Sequence, residues 1–233
     1  MGGRRIGIVR AKEGQTFLLC RTGKGAVQAV LRQTTRPGIA LTSEGCHSHG
    51  VPFELQPALT GPLLQLRPLS ATDYDSLYAV AADPKIWEQH PDRTRWQPDG
   101  FRTYFDQAMA SGGALLASNA ETSAAIGSSR FHGYDAAASE IEIGWTFLAR
   151  NYWGGRYNRE MKRLMVEHAF RFVQRVVLHI GPDNVRSQNA ALKIGAVFAG
   201  VAIDEAGSER YAYHLTSDPW TRAPSQSSLP LNT

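Results

Sequence analysis

The residues with the clearest chemical potential form a glycine-bearing turn, Asn151–Arg156, between a strand-like run and the longest helix-like run. Gly154 and Gly155 lack a Cβ, so backbone N–H groups in this turn can point at a ligand. A helix that begins directly afterwards adds unpaired amide donors and a partial positive charge. Arginines that can add direct charge lie nearby at Arg150, Arg156 and Arg159. The turn predicts an anion site suited to a diphosphate, and the alternative is a tight turn with no ligand.

A second candidate is Glu142, a carboxylate within an apolar strand-like run. Side chains alternate along a strand, so Glu142 faces away from Ile141 and Ile143 and projects as a polar group from an apolar segment. Glu140 shares its face and competes with it for any chemical role. The alternative for Glu142 is a solvent-facing strand residue in ordinary alternation.

The elements that must position these residues follow from hydrophobic periodicity. The pattern predicts the order β–α–α–β–β–β–α–β–α–β–β from residue 63 onward. The predicted strands are Leu63–Leu69, Ala114–Ser118, Ala124–Phe131, Glu140–Phe147, Val176–Ile180, Val197–Ile203 and Arg210–Leu215. The predicted helices are Tyr74–Ala81, Phe101–Ala110, Tyr157–Val173 and Ser187–Ile194. One helix joins the strands Glu140–Phe147 and Val176–Ile180, and such a crossover implies parallel pairing inside an otherwise antiparallel sheet.

The domain organisation follows from a change of composition along the chain. Residues 1–60 carry a net charge of +5, whereas the remainder carries −1. We therefore predict a basic N-terminal extension at 1–58, disordered or a small hairpin, with short strand-like runs at Arg5–Arg10, Thr16–Cys20 and Ala26–Leu31. A single α/β domain with a mixed, α+β-type sheet follows at 59–217, and the Pro/Ser-rich stretch 218–233 is predicted to be a disordered tail.

Composition also bears on the classes of partner. Neutrality of the main domain disfavours nucleic-acid binding, although a basic arm can contact nucleic acid or acidic lipid. No run approaches the length of a membrane-spanning helix, and two cysteines in 233 residues favour a reducing cytoplasm. Cys46, His47 and His49 resemble half of a metal site, but nothing completes it, so no metal is predicted. His168 lies on an apolar helix face and is interpreted as a core histidine.

Three segments in this order resemble the GNAT family of N-acetyltransferases, in particular the branch of ribosomal-protein N-terminal acetyltransferases. Ile141–Trp145 resembles the family strand before the cofactor turn, Tyr152–Tyr157 its pyrophosphate turn, and Asn184–Ala196 its later Asn/Ser motif. The resemblance covers about residues 63–215 and implies a three-layer GNAT-like fold. Two positions depart from the family turn: Asn151 occupies its first position, and Arg156 stands where a small residue belongs.

The resemblance implies transfer of an acetyl group from acetyl-CoA to a primary amine by direct attack on the thioester. It makes Glu142 the first candidate for the general base and Ser187 for the group that assists the leaving thiolate, although Ser187 suits a helix N-cap equally well. Tyr211 and Tyr213 are reserve acids. The cofactor contacts it implies are Trp145, Phe147, Leu148, Asn151, Trp153, Gly154, Gly155, Arg156, Tyr157, Asn184 and Asn189. Residues bordering the acceptor cleft would be Trp87, His90, Arg93, Arg95 and Trp96.

Two other functions stay open at this stage. A non-catalytic module of the same fold, which binds CoA or acts as a scaffold, is favoured by Arg156 in the turn. A nucleic-acid binder is favoured only by the basic arm. The acceptor could be a peptide amine or a small-molecule amine, and the oligomeric state is open, a homodimer included.

Overall fold

The computed structural model describes residues 7–10, 16–21, 27–30, 52–204 and 207–222. The chain divides into two units, residues 1–48 and 49–233. In the first unit, strands β1 (Gly7–Arg10), β2 (Thr16–Arg21) and β3 (Val27–Val30) form an antiparallel sheet in the order β1-β2-β3. The residues of the half metal site, 46–49, and the last residues, 223–233, lie outside the described part. No helix in that part is long and apolar enough to cross a membrane.

The second unit is built on an eight-stranded mixed sheet in the order β10-β11-β9-β8-β7-β6-β5-β4. Its strands are β4 (Leu59–Thr60), β5 (Leu64–Pro68), β6 (Ala114–Asn119), β7 (Ala125–Asp135), β8 (Glu140–Leu148), β9 (Arg175–Ile180), β10 (Val197–Ile203) and β11 (Glu209–Thr216). The helices are α1 (Tyr74–Ala81), α2 (Pro98–Ala110), α3 (Arg156–Ala169), α4 (Val185–Lys193) and α5 (Ser217–Arg222). Every strand pair is antiparallel except β8 with β9. The predicted mixed sheet and the parallel crossover are confirmed.

Helices cover both faces of the sheet and give three layers. One apolar core joins the sheet to α3, and Ala191 and Ile194 extend it towards α4. A second core joins the opposite face to α1 and α2. Phe53 lies inside the first core, so residues before the predicted boundary at 59 pack with this unit.

Several predicted boundaries were wrong for local reasons. Helix α2 begins at Pro98, a residue suited to the first turn because it needs no amide partner there. Strand β7 runs on to Asp135 through residues predicted as a turn. Helix α3 ends at Ala169, four residues before the predicted Val173. Helix α5 overlaps the predicted disordered tail, because Trp220 packs edge-on against Phe170.

The junction between β5 and α1 shows how the sequence sets local structure. Ser70 and Asp73 form a capping box around a 3-10 turn at Ala71–Asp73, as expected for residues with N-cap chemistry. Arg67 donates two hydrogen bonds to the Asp73 carboxylate, at 2.7 and 2.6 Å. These bonds, with Arg67 as the largest cause, hold the pKa of Asp73 below its ordinary value. The ion pair therefore links the end of β5 to the residue that precedes α1.

Candidate active site

A gap opens between β8 and β9 near the middle of the sheet. The two strands pair from Glu140 with Arg175 to Glu142 with Val177, and no ladder pair joins them beyond that point within the described residues. The cleft that follows has a volume of about 970 Å³ and is lined by both strands, by the start of α3 and by α4. The strand edges that separate here face a space that an extended molecule can occupy.

A β-bulge shapes the β8 side of this cleft. Ser128 and Arg130 of β7 lie opposite Phe147 and Gly144 of β8, so two residues of β8 face one of β7. One of the two is Trp145, whose φ of 51° is unusual for a residue other than glycine. The bulge shifts the alternation, so that Thr146 turns towards α3 whereas Phe147 packs with the α1 and α2 core. Tyr104 of α2 donates a hydrogen bond to the carbonyl of Trp145 at 3.1 Å and holds this conformation.

The turn before α3 has the backbone that an anion site needs. Gly154 and Gly155 have φ values of 97° and 108°, and a Cβ at either position would meet no atom within 4 Å, so their surroundings are open. Gly155 is the N-cap of α3, and no side chain caps this helix start. Both glycines line the cleft. The unpaired amides of the first helical turn therefore face open space beside it.

Most of the predicted site residues come together in the cleft. Its lining includes Glu142, Trp145, Phe147, Leu148, Trp153, Gly154, Gly155, Asn184, Ser187 and Asn189. It also includes Trp87, His90 and Arg95 of the predicted acceptor border, but not Arg93 or Trp96. Trp153 is positioned by a hydrogen bond from its indole to the carbonyl of Leu148 and by Arg186, which stacks 4.1 Å above the ring.

Three predicted cofactor contacts lie outside the lining of the cleft: Asn151, Arg156 and Tyr157. Asn151 and Arg156 are exposed, so the arginine in the turn points into solvent and does not fill the cleft. Tyr157 turns inward, where its hydroxyl accepts a hydrogen bond from Asn119 at 3.2 Å and its ring packs against Tyr152. The side chain of Tyr157 therefore has a packing role, whereas its backbone amide belongs to the first turn of α3.

The assignments around α4 also need revision. The N-cap of this helix is Asn184, whose side-chain oxygen accepts a hydrogen bond from the Ser187 amide at 3.1 Å. Ser187 thus lies inside the first turn, and within the described residues no group is hydrogen-bonded to its hydroxyl. Tyr211 and Tyr213 pack edge-on against Phe198 and do not line the cleft, which agrees with packing residues of the hairpin.

Glu142 forms the last strand pair before the gap and has a partner that the sequence analysis missed. Its Oε2 atom lies 3.2 Å from Nδ1 of His179, across the point where β8 and β9 separate. The side chains of both residues are partly exposed, at 19% and 35%. The hydrogen bond to Glu142 is the largest cause that raises the pKa of His179. Glu140, the predicted competitor, is instead paired with Arg175 and lies outside the cleft lining.

Two buried basic side chains near Glu142 were also missed. Arg130 is 4% exposed, its Nε and Nη2 atoms have no partner among the described groups, and its guanidinium stacks 4.6 Å from the Trp145 ring. Lys162 is 8% exposed, lines the cleft and donates a hydrogen bond to Oγ1 of Thr146 at 2.6 Å. Burial lowers the pKa of Lys162 to about 7. In the sequence, the burial of Lys162 is indicated by its place directly after Met161, a core position in the periodicity of α3.

The core histidine behaves largely as predicted. His168 is 2% exposed, packs against Phe53, Phe131 and Phe172, and its Nε2 lies 2.8 Å from the carbonyl of Glu54. Its other ring nitrogen, Nδ1, has no partner among the described groups. Burial lowers its pKa, in keeping with a neutral imidazole that belongs to the core.

Comparison with known proteins identifies the architecture. Residues 64–197, more than half of the chain, match the family model described as an acetyltransferase (GNAT) domain. The chain belongs to the GNAT family of acetyltransferases. GNAT membership confirms the resemblance seen in the sequence and makes the chain an acyltransferase. Comparison with curated proteins gave no match.

Solved GNAT structures share the fold at low sequence identity. A GCN5-related N-acetyltransferase from Brucella melitensis superposes with a TM-score of 0.65 and 18% identity, over 74% of this chain and 84% of that one. A probable GNAT acetyltransferase from Chromobacterium violaceum gives 0.64 and 20%, over 82% and 100%. RimJ from Mycobacterium smegmatis, in complex with CoA-disulfide, gives 0.55 and 15%, over 70% and 88%. At these identities the likeness establishes the fold alone.

Proposed function

We propose that this GNAT protein transfers an acetyl group from acetyl-CoA to a primary amine within the cleft between β8 and β9. The observation that carries the proposal is the uncapped start of α3, with two positive-φ glycines, at the mouth of a gap between two parallel strands. A site for an anion at the helix start and space for an extended arm in the gap together match the charge and shape of a CoA thioester. The CoA-disulfide bound to the RimJ relative is consistent with this ligand.

The proposed binding mode uses backbone more than side chains. The diphosphate is held by the amides of the first turn of α3, beside Gly154 and Gly155. Arg159 and Lys193 line the same cleft and add positive charge for the phosphates. The pantetheine arm extends along Trp145–Leu148 as an added strand would. This arrangement leaves the thioester beside Glu142 and Ser187.

Glu142 acts as the general base in the proposed reaction. An alkylamine with a pKa of about 10.4 is almost wholly protonated at neutral pH, so it needs a group that removes a proton before it can attack. The carboxylate of Glu142 takes that proton, directly or through a water molecule, while His179 holds the carboxylate by its hydrogen bond. The amine nitrogen then forms a bond to the thioester carbon, and the C–S bond breaks.

The leaving thiolate must be stabilised at the opposite side of the thioester. Ser187 lines the cleft, and no described group holds its hydroxyl, so that hydroxyl is available to donate to the sulfur. The sulfur finally receives a proton and leaves as free CoA. Ser187 is therefore proposed as the residue that assists the leaving group.

A calorimetric titration with acetyl-CoA tests the binding step, and release of CoA thiol over a panel of peptide and small-molecule amines tests the transfer step. We expect binding with a favourable heat and turnover with at least one class of amine. Absence of both heat and thermal shift at millimolar acetyl-CoA would contradict the proposal. Binding without turnover over the panel would favour the non-catalytic alternative, against which the outward-facing Arg156 already argues.

A further inference from the structure

The feature that the proposed reaction does not use is the buried amine of Lys162. Its Nζ atom forms part of the cleft wall and donates to Thr146 Oγ1 at 2.6 Å. That oxygen lies 2.7 Å from Oγ of Ser129, so the threonine is held from both sides. No carboxylate lies within 4.0 Å of this amine among the residues that the structure describes. A lysine buried without an ion-pair partner requires an explanation.

The electrostatic surroundings of this amine favour its neutral form. Burial is the largest influence and lowers the pKa of Lys162 to about 7, and the charge of Glu142 opposes this shift only in part. An exposed alkylamine, by contrast, has a pKa of about 10.4. Near neutral pH a large fraction of Lys162 is therefore unprotonated, and an unprotonated amine is the nucleophile in acyl transfer.

The position of Lys162 brings this nucleophile to the proposed cofactor. Thr146, its hydrogen-bond partner, belongs to the Trp145–Leu148 segment along which the pantetheine arm is proposed to lie. The side chain reaches it from α3, the helix whose start is proposed to hold the diphosphate. The charge of Glu142, beside which the thioester is proposed to lie, also acts on this amine. An acetyl-CoA held at both places would therefore bring its acyl end towards the lysine.

We propose that Lys162 is a self-acetylation site, modified by acetyl-CoA bound in the protein's own cleft. Lys162 Nζ forms a bond to the thioester carbon, the C–S bond breaks, and the proton lost by nitrogen ends on sulfur. The products are N-acetyl-lysine and free CoA. The inference rests on the proposed function, because it requires acetyl-CoA in the cleft.

Acetylation of Lys162 changes the cleft in two ways. It replaces a group that can carry charge by a neutral amide, and it adds an acetyl group to a side chain that forms part of the cleft wall. The added group competes for space with the acyl end of the next acetyl-CoA. The modified protein should therefore bind acetyl-CoA more weakly and transfer acetyl groups to other amines more slowly.

The test uses the full-length protein and acetyl-CoA labelled with carbon-13 in the acetyl group. After incubation at neutral pH, intact mass and peptide mapping locate the label. We expect one acetyl group on the peptide that contains Lys162, at a rate that saturates with acetyl-CoA and falls when excess CoA competes. Lys85→Arg is the matched control, because Lys85 is exposed and lies outside the lining of the cleft. This variant should keep the label, whereas Lys162→Met should lose it.

Two outcomes overturn the inference and leave the proposed function standing. One is calorimetric binding of acetyl-CoA with no label on Lys162. The other is label spread over Lys162, Lys193 and Lys85 alike, and equally produced by acetyl phosphate, which indicates random chemical acetylation. Absence of acetyl-CoA binding removes the proposed function, and this inference falls with it. The peptide map of the unmodified sequence decides the matter even if Lys162→Met fails to fold.

Discussion

Replacement of Glu142 by glutamine is the sharpest test of the proposed chemistry at the point where β8 and β9 separate. Glutamine keeps the shape of the side chain and one acceptor oxygen, but it cannot take a proton from an amine. General acid–base catalysis contributes about 10²–10⁴-fold to a rate. At about 1.36 kcal/mol for each factor of ten, this corresponds to about 3–5 kcal/mol of transition-state stabilisation. We expect kcat to fall by that factor.

Glu140→Gln is the matched control for this experiment. Glu140 lies two positions earlier on the same face of the same strand, but its carboxylate pairs with Arg175 at 2.6 Å, and it does not line the cleft. Both side chains of that pair are about one-third exposed. An exposed ion pair contributes only about 0–1 kcal/mol to the free energy of unfolding, so the variant should stay folded, and its kcat should stay near that of the unmodified protein.

The assay follows the release of CoA thiol at saturating acetyl-CoA, with an amine that the panel has shown to be an acceptor. KM for acetyl-CoA should stay near that of the unmodified protein, because Glu142 has no proposed contact with the diphosphate. A histidine titration by NMR gives an independent readout, since loss of the carboxylate should lower the pKa of His179. Equal kcat values for Glu142→Gln and Glu140→Gln would refute the assignment of the base.

Three further expectations concern binding and stability. Gly155→Ala forces a Cβ onto a backbone with φ of 108° at a cost of about 1–2 kcal/mol, and calorimetry should show weaker acetyl-CoA binding, which an unchanged affinity would contradict. Glu160→Ala leaves two backbone amides at the start of β5 without their acceptor, so urea unfolding should show that the free energy of unfolding falls by about 3–6 kcal/mol. Glu167→Ala, which removes an exposed ion pair, should change that free energy little. Arg67 lowers the pKa of Asp73, so the Asp73 carboxylate stabilises the fold at pH values above its ordinary pKa of 3.8, and this contribution is lost as the pH falls below 3.8. Asp73→Asn should remove that part of the acid sensitivity, as measured by thermal unfolding at a series of pH values.

The parts of the fold that local pattern determines could be predicted from the sequence. The turn before α3 is indicated in the sequence by two adjacent glycines that precede an amphipathic run, and both glycines have positive φ in the structure. The parallel pairing of β8 with β9 follows from a connecting helix, because a crossover needs that length of chain. The predicted starts of α2 and α4 were less accurate. Pro98 and Asn184 are suited to a helix start, and the sequence analysis chose Phe101 and Ser187 instead.

The residues that the sequence analysis missed depend on contacts between distant segments. Nothing near His179 in the chain indicates that it meets Glu142, since the meeting depends on the register of β8 against β9. Lys162 and Thr146 come together only because a bulge changes the phase of β8. A bulge at a residue such as Trp145 has no signature in an alternating pattern.

The bulge at Trp145 determines which side of the sheet each later residue of β8 faces. If the same residues continued as an uninterrupted pleat, the period of two would exchange the faces of all positions after the bulge up to Leu148. Phe147 would leave the α1 and α2 core, Leu148 would leave the opposite core, and Lys162 would lose its threonine. The irregular backbone at this point is thus as strict a requirement of the site as the identity of any group in it.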